Sequence, residues 1–164
     1  MKKKIVIING SGGVGKDTFV EFCEEFAKVK NISSVDKVKE AAKILVGWNG
    51  DKDDKSRKLL VDLKQLSIEY NDYPTVYIKD ESDQFLENSE QEMMFVHIRE
   101  ISEIEKLKKL LNAKTLLITS TRVAKITTNN SDANVDKYEY DYYISNDGTL
   151  DELKEKAKSF VQGQ

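Results

Sequence analysis

The sequence predicts an α/β fold: a five-stranded parallel sheet with helices on both faces. Three observations carry this expectation. Short apolar runs rich in β-branched residues occur at 5–8, 93–98 and 115–119, and such runs read as strands buried on both faces. Segments with apolar residues at three- and four-residue steps stand between them, so strands alternate with helices, the order that produces a parallel sheet wrapped by helices. Finally, the first strand runs into a glycine-rich segment and then directly into a helix.

That glycine-rich segment is Gly10-Ser11-Gly12-Gly13-Val14-Gly15-Lys16, the G-x-x-x-x-G-K spacing of a phosphate-binding loop. Glycines permit backbone conformations closed to other residues and leave the amides bare. Those N–H groups can converge on phosphate oxygens, and the following helix turns its positive end to the same point. Lys16 adds a point charge for the terminal phosphates. The residue after this lysine is ordinarily Ser or Thr, whose hydroxyl holds Mg²⁺; here it is Asp17, followed by Thr18. A carboxylate is also a hard oxygen ligand. Asp17 is therefore expected to face the Mg²⁺ site, directly or through water, and to be a candidate proton acceptor. Thr18 is expected on an inner phosphate. The bland alternative is that Asp17 only favours the helix N-terminus, by about 0.3–1 kcal/mol.

The 164 residues suit one domain spanning 1–164. A net charge of −3 offers no broad basic field for nucleic acid. One cysteine excludes an internal disulfide and fits a reducing compartment. No apolar run approaches the roughly 18 residues of a membrane span, and the run after Lys4 is shorter than a signal-peptide core of about 7–15. A cytoplasmic protein is expected, with no membrane partner; the oligomeric state is not legible.

The first helix is predicted over 16–28, with Phe19, Val20, Phe22, Cys23, Phe26 and Ala27 on its apolar face. Cys23 reads as a small core residue. A second strand is predicted at 31–36, with Asp36 at its carboxyl end, where open α/β sheets place ligands. The next helix carries Lys39 one turn in and stops at Gly47 and Gly50. A charged loop, 51–55, supplies a capping aspartate for a helix over 56–69, with Arg57 near its start and Leu59, Leu60, Leu63, Leu66 and Ile68 directed inward. Pro74 suits the first turn of a further helix over 75–87. The third strand, 93–98, ends in His97-Ile98-Arg99-Glu100 and precedes a helix over 101–111. After the fourth strand, 115–119, a polar span over 120–137 contains Arg122 and Lys125. It is too long for a simple connection and is expected to be a lid or disordered. A fifth strand at 141–145, a turn at Asn146-Asp147-Gly148 and a helix capped by Thr149 complete the chain, with Thr149 and Glu152 at capping-box spacing.

Asp36, Lys39, Arg57, Arg99, Arg122 and Lys125 all follow strand ends or open helices near them. Phosphoryl transfer needs two substrates in line and cations on the migrating charge, and arginine's planar fork suits that task. Arg122 is expected to swing over the phosphates; Arg57 and Arg99 are expected to hold an acceptor phosphate. Each is weighed against a solvated surface charge, the commoner fate of an isolated Lys or Arg. His97 is the only histidine, and with one cysteine a protein-made zinc site is not expected.

The chain resembles the nucleoside-monophosphate-kinase-like P-loop kinases, in particular the branch with GKDT loops that includes phage-type deoxynucleoside monophosphate kinases and animal phosphomevalonate kinase. The segment GSGGVGKDT, Gly10 to Thr18, carries the clearest match. Asp36-Lys37-Val38-Lys39-Glu40 is similar to that branch's acidic residue and lysine opening a helix. Arg57-Lys58-Leu59-Leu60 is similar to its acceptor-side arginine helix. FVHIRE, Phe95 to Glu100, stands where the branch has an Asp-x-Arg strand end; Arg99 is retained and His97 replaces the acid. Asp141 to Leu153 resembles the terminal strand, turn and helix, which places Asn146 and Gly148 beside adenine. The resemblance implies a three-layer P-loop NTPase fold with strand order 2-3-1-4-5, an acceptor-side helical insertion at about 37–90 and a lid at about 120–137. It also implies ATP, Mg²⁺ and a small phosphorylated acceptor. Two readings remain open. One is an ATP-dependent kinase of a phosphorylated small molecule, with nucleoside monophosphates among the candidates. The other is a regulatory NTP-binding module whose helices 56–69 and 75–87 meet a protein partner. A third, an RNA-end pocket, sits poorly with the acidic balance.

Overall fold

The structure is a computed structural model describing residues 2–123 and 134–163. The strands are β1 (Lys4–Asn9), β2 (Val29–Ser33), β3 (Met93–His97), β4 (Lys114–Thr119) and β5 (Tyr142–Ser145). The helices are α1 (Lys16–Glu24), α2 (Asp36–Val46), α3 (Asp54–Asn71), α4 (Tyr73–Glu87), α5 (Ile101–Leu111) and α6 (Leu150–Gln162), with a 3-10 turn at Val135–Lys137. All strand pairs are parallel and the order is β2-β3-β1-β4-β5, as the resemblance implied.

Alternation along β1 divides the core. Ile5 and Ile7 join Met94 and Val96 against Ile78 and Phe85 of α4 and Ile104 and Leu107 of α5. Val6 and Ile8 join Phe95, Leu116 and Ile118 against Phe19 of α1 and Leu153 and Ala157 of α6. Successive strand residues point to opposite faces, so an uninterrupted apolar run supplies both layers. On the second face Phe19, Phe95 and Phe160 form an aromatic cluster, the Phe19 ring 6.3 Å from Phe95 and 5.7 Å from Phe160. Cys23 lies in the same layer, and burial, aided by Glu24, pushes its thiol pKa up to about 12.

Several boundaries differ from the expectation. α1 stops at Glu24, short of 28, because the amides of Phe26 and Ala27 turn back onto the Cys23 carbonyl. β2 ends at Ser33, so Asp36 opens α2 instead of ending the strand; its Oδ2 accepts the Ser33 amide at 2.9 Å. α3 runs on to Asn71, capped at its start by Asp53, whose Oδ1 accepts the Ser56 amide at 2.8 Å. No residue of α3 is fully buried, and Leu66, expected inside, is 61% exposed. α4 begins at Tyr73, with Pro74 in its first turn. β5 begins after Asp141, whose carboxylate instead accepts the amide and hydroxyl of Thr115 at 2.9 and 3.1 Å. The expected lid has described ends at 120–123 and 134–137; Lys125 and the rest of it lie outside the described residues.

Candidate functional site

β1 ends at Asn9, and the loop from Gly10 to Gly15 turns the chain into α1 at the carboxyl rim of the sheet. The loop requires its glycines for two separate reasons. Gly10 has φ 154°, and a Cβ there would meet the Ile118 carbonyl oxygen at 2.6 Å. Gly15 has φ 101°, and a Cβ there would meet the Asn146 amide nitrogen at 2.5 Å. Gly13 is also left-handed, at φ 82°, with Val123 3.9 Å from its Cβ position. Gly12 and Gly13 form the crest of the loop, and Val14 is buried beneath it. The first bond within α1 is from the Phe19 amide to the Gly15 carbonyl. The amides of Asp17 and Thr18 precede that bond, in the first turn, where a helix turns its N–H groups outward.

Asn9, fully buried, fixes the root of this loop. Its Oδ1 accepts the Gly10 amide at 2.8 Å. Its Nδ2 donates to the Arg99 carbonyl at 3.3 Å and to the Tyr140 hydroxyl at 3.0 Å. Tyr140 in turn donates to the Val135 carbonyl at 2.7 Å. Neither Asn9 nor Tyr140 is marked by a motif; a lone amide between an apolar strand and the first loop glycine is the available signal.

Lys16 folds over the loop, its Nζ donating to the Gly10 carbonyl at 2.6 Å. Asp17 is exposed on the first turn of α1, and Thr18 is half-buried beside it. Asn146 packs behind the loop and donates from Nδ2 to the Val14 carbonyl at 2.9 Å. Arg122 donates to the Asn146 carbonyl at 2.7 Å and to its Oδ1 at 3.3 Å. The Thr121 amide and hydroxyl donate to Asp147 Oδ1, which holds the Asp147 carboxyl below its usual range. Gly148 lies under the Glu152 carboxylate, and Thr149 Oγ1 accepts the Glu152 amide at 3.1 Å. Thus Arg122, Asn146 and the phosphate loop form one bonded assembly.

On the other side of β1, His97 ends β3 and faces the first turn of α1. Its Nε2 is 2.8 Å from Asn31 Oδ1, which makes Nε2 the protonated nitrogen. Burial, then the Lys16 charge, lowers its pKa to about 4, so the ring is neutral. Asp36 is engaged structurally: its Oδ2 also accepts the Tyr77 hydroxyl at 2.8 Å. Arg99 is exposed just beyond β3. Lys39 and Arg57 are exposed on α2 and α3, and neither lines the cavity that α2, α3 and α4 enclose. Among the described residues no cluster of three His, Cys, Asp or Glu could hold a metal ion. Mg²⁺ does not require such a cage, since it is usually held by one or two carboxylates, water and substrate phosphates; Asp17 beside the loop fits that requirement.

The backbone superposes on several solved structures. A Thermus thermophilus protein matches with TM-score 0.58 at 18% identity, covering 99% of this chain and 98% of that one. The fold is that of the P-loop kinases. The dephospho-CoA kinase of Campylobacter jejuni matches with TM-score 0.55 at 18% identity, covering 99% of this chain and 96% of the kinase. The tunicamycin resistance protein of Deinococcus radiodurans matches with TM-score 0.58 at 14% identity over 98% and 96% of the two chains. The sequence matches no protein-family model and no curated protein. No described helix is long and apolar enough to cross a membrane.

Proposed function

We propose that this P-loop kinase fold works as an ATP-dependent phosphotransferase on a small phosphorylated acceptor, with nucleoside monophosphates as the first class to test. The observation that carries the reading is the loop itself. Left-handed glycines at 10, 13 and 15 bring a run of main-chain amides to the N-terminus of α1, with the Lys16 ammonium at the rim. In this reading Gly12, Gly13, Val14, Gly15, Lys16 and Thr18 hold ATP phosphates through the loop and the first turn of α1. Lys16 exchanges the Gly10 carbonyl for a terminal phosphate. Asn146 and Gly148 flank the base.

Arg122 starts from the Asn146 carbonyl, so it reaches the migrating phosphoryl group by rotation of a long side chain. There its fork spreads charge over the equatorial oxygens. Asp17 would hold Mg²⁺, directly or through water, and the ion would supply charge that neutralises the phosphates. The acceptor's phosphate is assigned to Arg99, with Arg57 and Lys39 approaching from α3 and α2. Asp36 acts here by positioning, since its bonds to Ser33 and Tyr77 tie the start of α2 to α4.

A second reading, a nucleotide-dependent binding module, draws on the exposed Val61, Leu66 and Val76 of α3 and α4. The experiment is ADP formation from ATP and Mg²⁺ with nucleoside monophosphates, phosphomevalonate or dephospho-coenzyme A. One acceptor is expected to accelerate ADP release. Lys16→Ala is expected to weaken ATP binding at least tenfold. Unchanged ATP affinity in that variant rejects both readings, whereas intact binding with no acceptor in the panel favours the module.

A further inference from the structure

The Arg122 guanidinium spends both of its hydrogen bonds on one residue, donating to the Asn146 carbonyl at 2.7 Å and to the Asn146 side-chain Oδ1 at 3.3 Å. Around this pair the main chain is fixed. The Asn146 amide donates to the Thr119 carbonyl at 2.7 Å, and its Nδ2 donates to the Val14 carbonyl at 2.9 Å. Gly15 permits that approach, since a Cβ there would stand 2.5 Å from Nδ2. The Thr121 amide and hydroxyl donate to Asp147 Oδ1 at 2.6 and 2.8 Å, which pins the residue before Arg122 to the same turn. The Arg122 side chain is exposed, so it can leave Asn146 without any movement of the main chain.

Two kinds of acceptor compete for this guanidinium. A neutral amide oxygen at the surface holds it weakly, whereas an anionic phosphoryl group takes its fork in charge-assisted bonds of about twice the strength. A nucleoside triphosphate therefore draws Arg122 off Asn146. A diphosphate has no γ-phosphoryl group and leaves Arg122 in place, with Oδ1 occupied. Once released, Oδ1 is an acceptor beside the base. Adenine carries an amino donor at N6, and guanine carries the O6 acceptor at the same place. The amino group can donate to Oδ1; a carbonyl facing Oδ1 loses water and gains no bond. The bond from Nδ2 to Val14 keeps the amide from turning over to suit guanine.

We infer that Asn146 reads the base and that Arg122 controls the reading, so the site prefers adenine to guanine chiefly when a γ-phosphoryl group is bound. The inference rests on the kinase reading for the position of the base and for the movement of Arg122, and it adds a coupling between the two ends of the nucleotide. Such coupling is reciprocal: the γ-phosphoryl group strengthens adenine binding by the factor by which adenine strengthens γ-phosphoryl binding. Its use lies in product release. When the γ-phosphoryl group has been transferred, Arg122 returns to Asn146, the adenine loses its bond at Oδ1, and ADP is held more weakly than ATP.

The test is calorimetry on the full chain with Mg²⁺, using ADP, GDP and the β,γ-imido analogues of ATP and GTP, which keep the γ-phosphoryl group and resist its transfer. The guanine-to-adenine ratio of dissociation constants is expected to be at least tenfold larger for the imido triphosphates than for the diphosphates. Arg122→Ala leaves Oδ1 open at all times and keeps the Val14 and Gly15 contacts. In that variant the diphosphates are expected to show the ratio of the triphosphates, whatever affinity is lost with the charge. Equal ratios for diphosphates and triphosphates in the parent overturn the inference, and so does a diphosphate ratio that Arg122→Ala leaves unchanged. Either result, with the ATP analogue still bound, leaves the kinase reading standing. A chain that binds none of the four nucleotides overturns both. The expected ratios in a chain that transfers phosphate to no acceptor uphold the coupling and remove the kinase reading alone.

Discussion

At the scale of single residues, His97 is the side chain with the clearest pH signature. Its imidazole titrates at about 4 in the folded protein because burial and the Lys16 charge disfavour the cation. In the unfolded chain it titrates near about 6.5. Above that pH both states are neutral and His97 has no effect on stability. As pH falls from about 6.5 towards 4, the unfolded chain takes up a proton the folded one refuses, and stability declines. The limiting loss is roughly 3 kcal/mol. Urea unfolding at pH 7.5, 6 and 5 should therefore show a decline that is shallower in His97→Asn than in the parent. Equal slopes in the two proteins would refute it. The residue stands out in the sequence as the one that replaces the acid of the Asp-x-Arg strand end in the branch the chain resembles. Its neutral state is not legible there, because it follows from burial and then from the Lys16 charge, and both depend on how the strands and α1 come together.

At the scale of elements, the 3-10 turn at Val135–Lys137 is tied to the root of the loop through the Tyr140 hydroxyl. Tyr140 accepts from Asn9 and donates to Val135, and its ring stands edge-on to Tyr138 and Tyr143, with centroids 5.0 and 5.9 Å away. Tyr140→Phe keeps the ring but leaves the Val135 carbonyl without this donor and takes one acceptor from Asn9. A loss of about 1–2 kcal/mol in chemical denaturation is expected, together with a raised KM for ATP, since Asn9 also holds the Gly10 amide. Unchanged stability and KM would show that the link carries no load. Central elements were easy to read, β1 above all, because burial on both faces leaves a continuous apolar run. Edge elements were harder. β2 has only Ile32 fully buried, so Val29 and Lys30 carry no clear signal and the strand runs from Val29 to Ser33, about two residues earlier than the pattern suggests. α3 differs for another reason: of its leucines only Leu63 lines the cavity between α2, α3 and α4, and Leu66 faces solvent, so helical spacing announces an apolar face without saying what covers it. Tyr70, Tyr73 and Tyr77 are likewise spaced by three and four, yet they belong to two helices separated at Asp72.

At the scale of the whole molecule, the strand order and the two-sided core were legible, the first through resemblance and the second through alternation. The site is legible to the extent that it is local: Gly10 to Thr18 is one continuous stretch, Arg122 is expected near it from its place after the fourth strand, and Asn146 only through the resemblance. Contacts made across the fold, such as Asn9 with Tyr140 or Asp36 with Tyr77, carry no signature in one sequence. The core layer between the sheet, α1 and α6 has a further practical consequence. It encloses the molecule's single sulfhydryl, Cys23, at 0% exposure, with ionisation opposed by its surroundings. Alkylation of that sulfur thus requires α1 to part from the sheet. Under native conditions, modification by a maleimide should run at the free-thiol rate reduced by the fraction of time the layer is parted, becoming independent of reagent once labelling outpaces reclosing. Labelling as fast as that of a free thiol would mean this layer is ajar. The chain thus carries its own clock for excursions out of the folded state, with one hand and no added label.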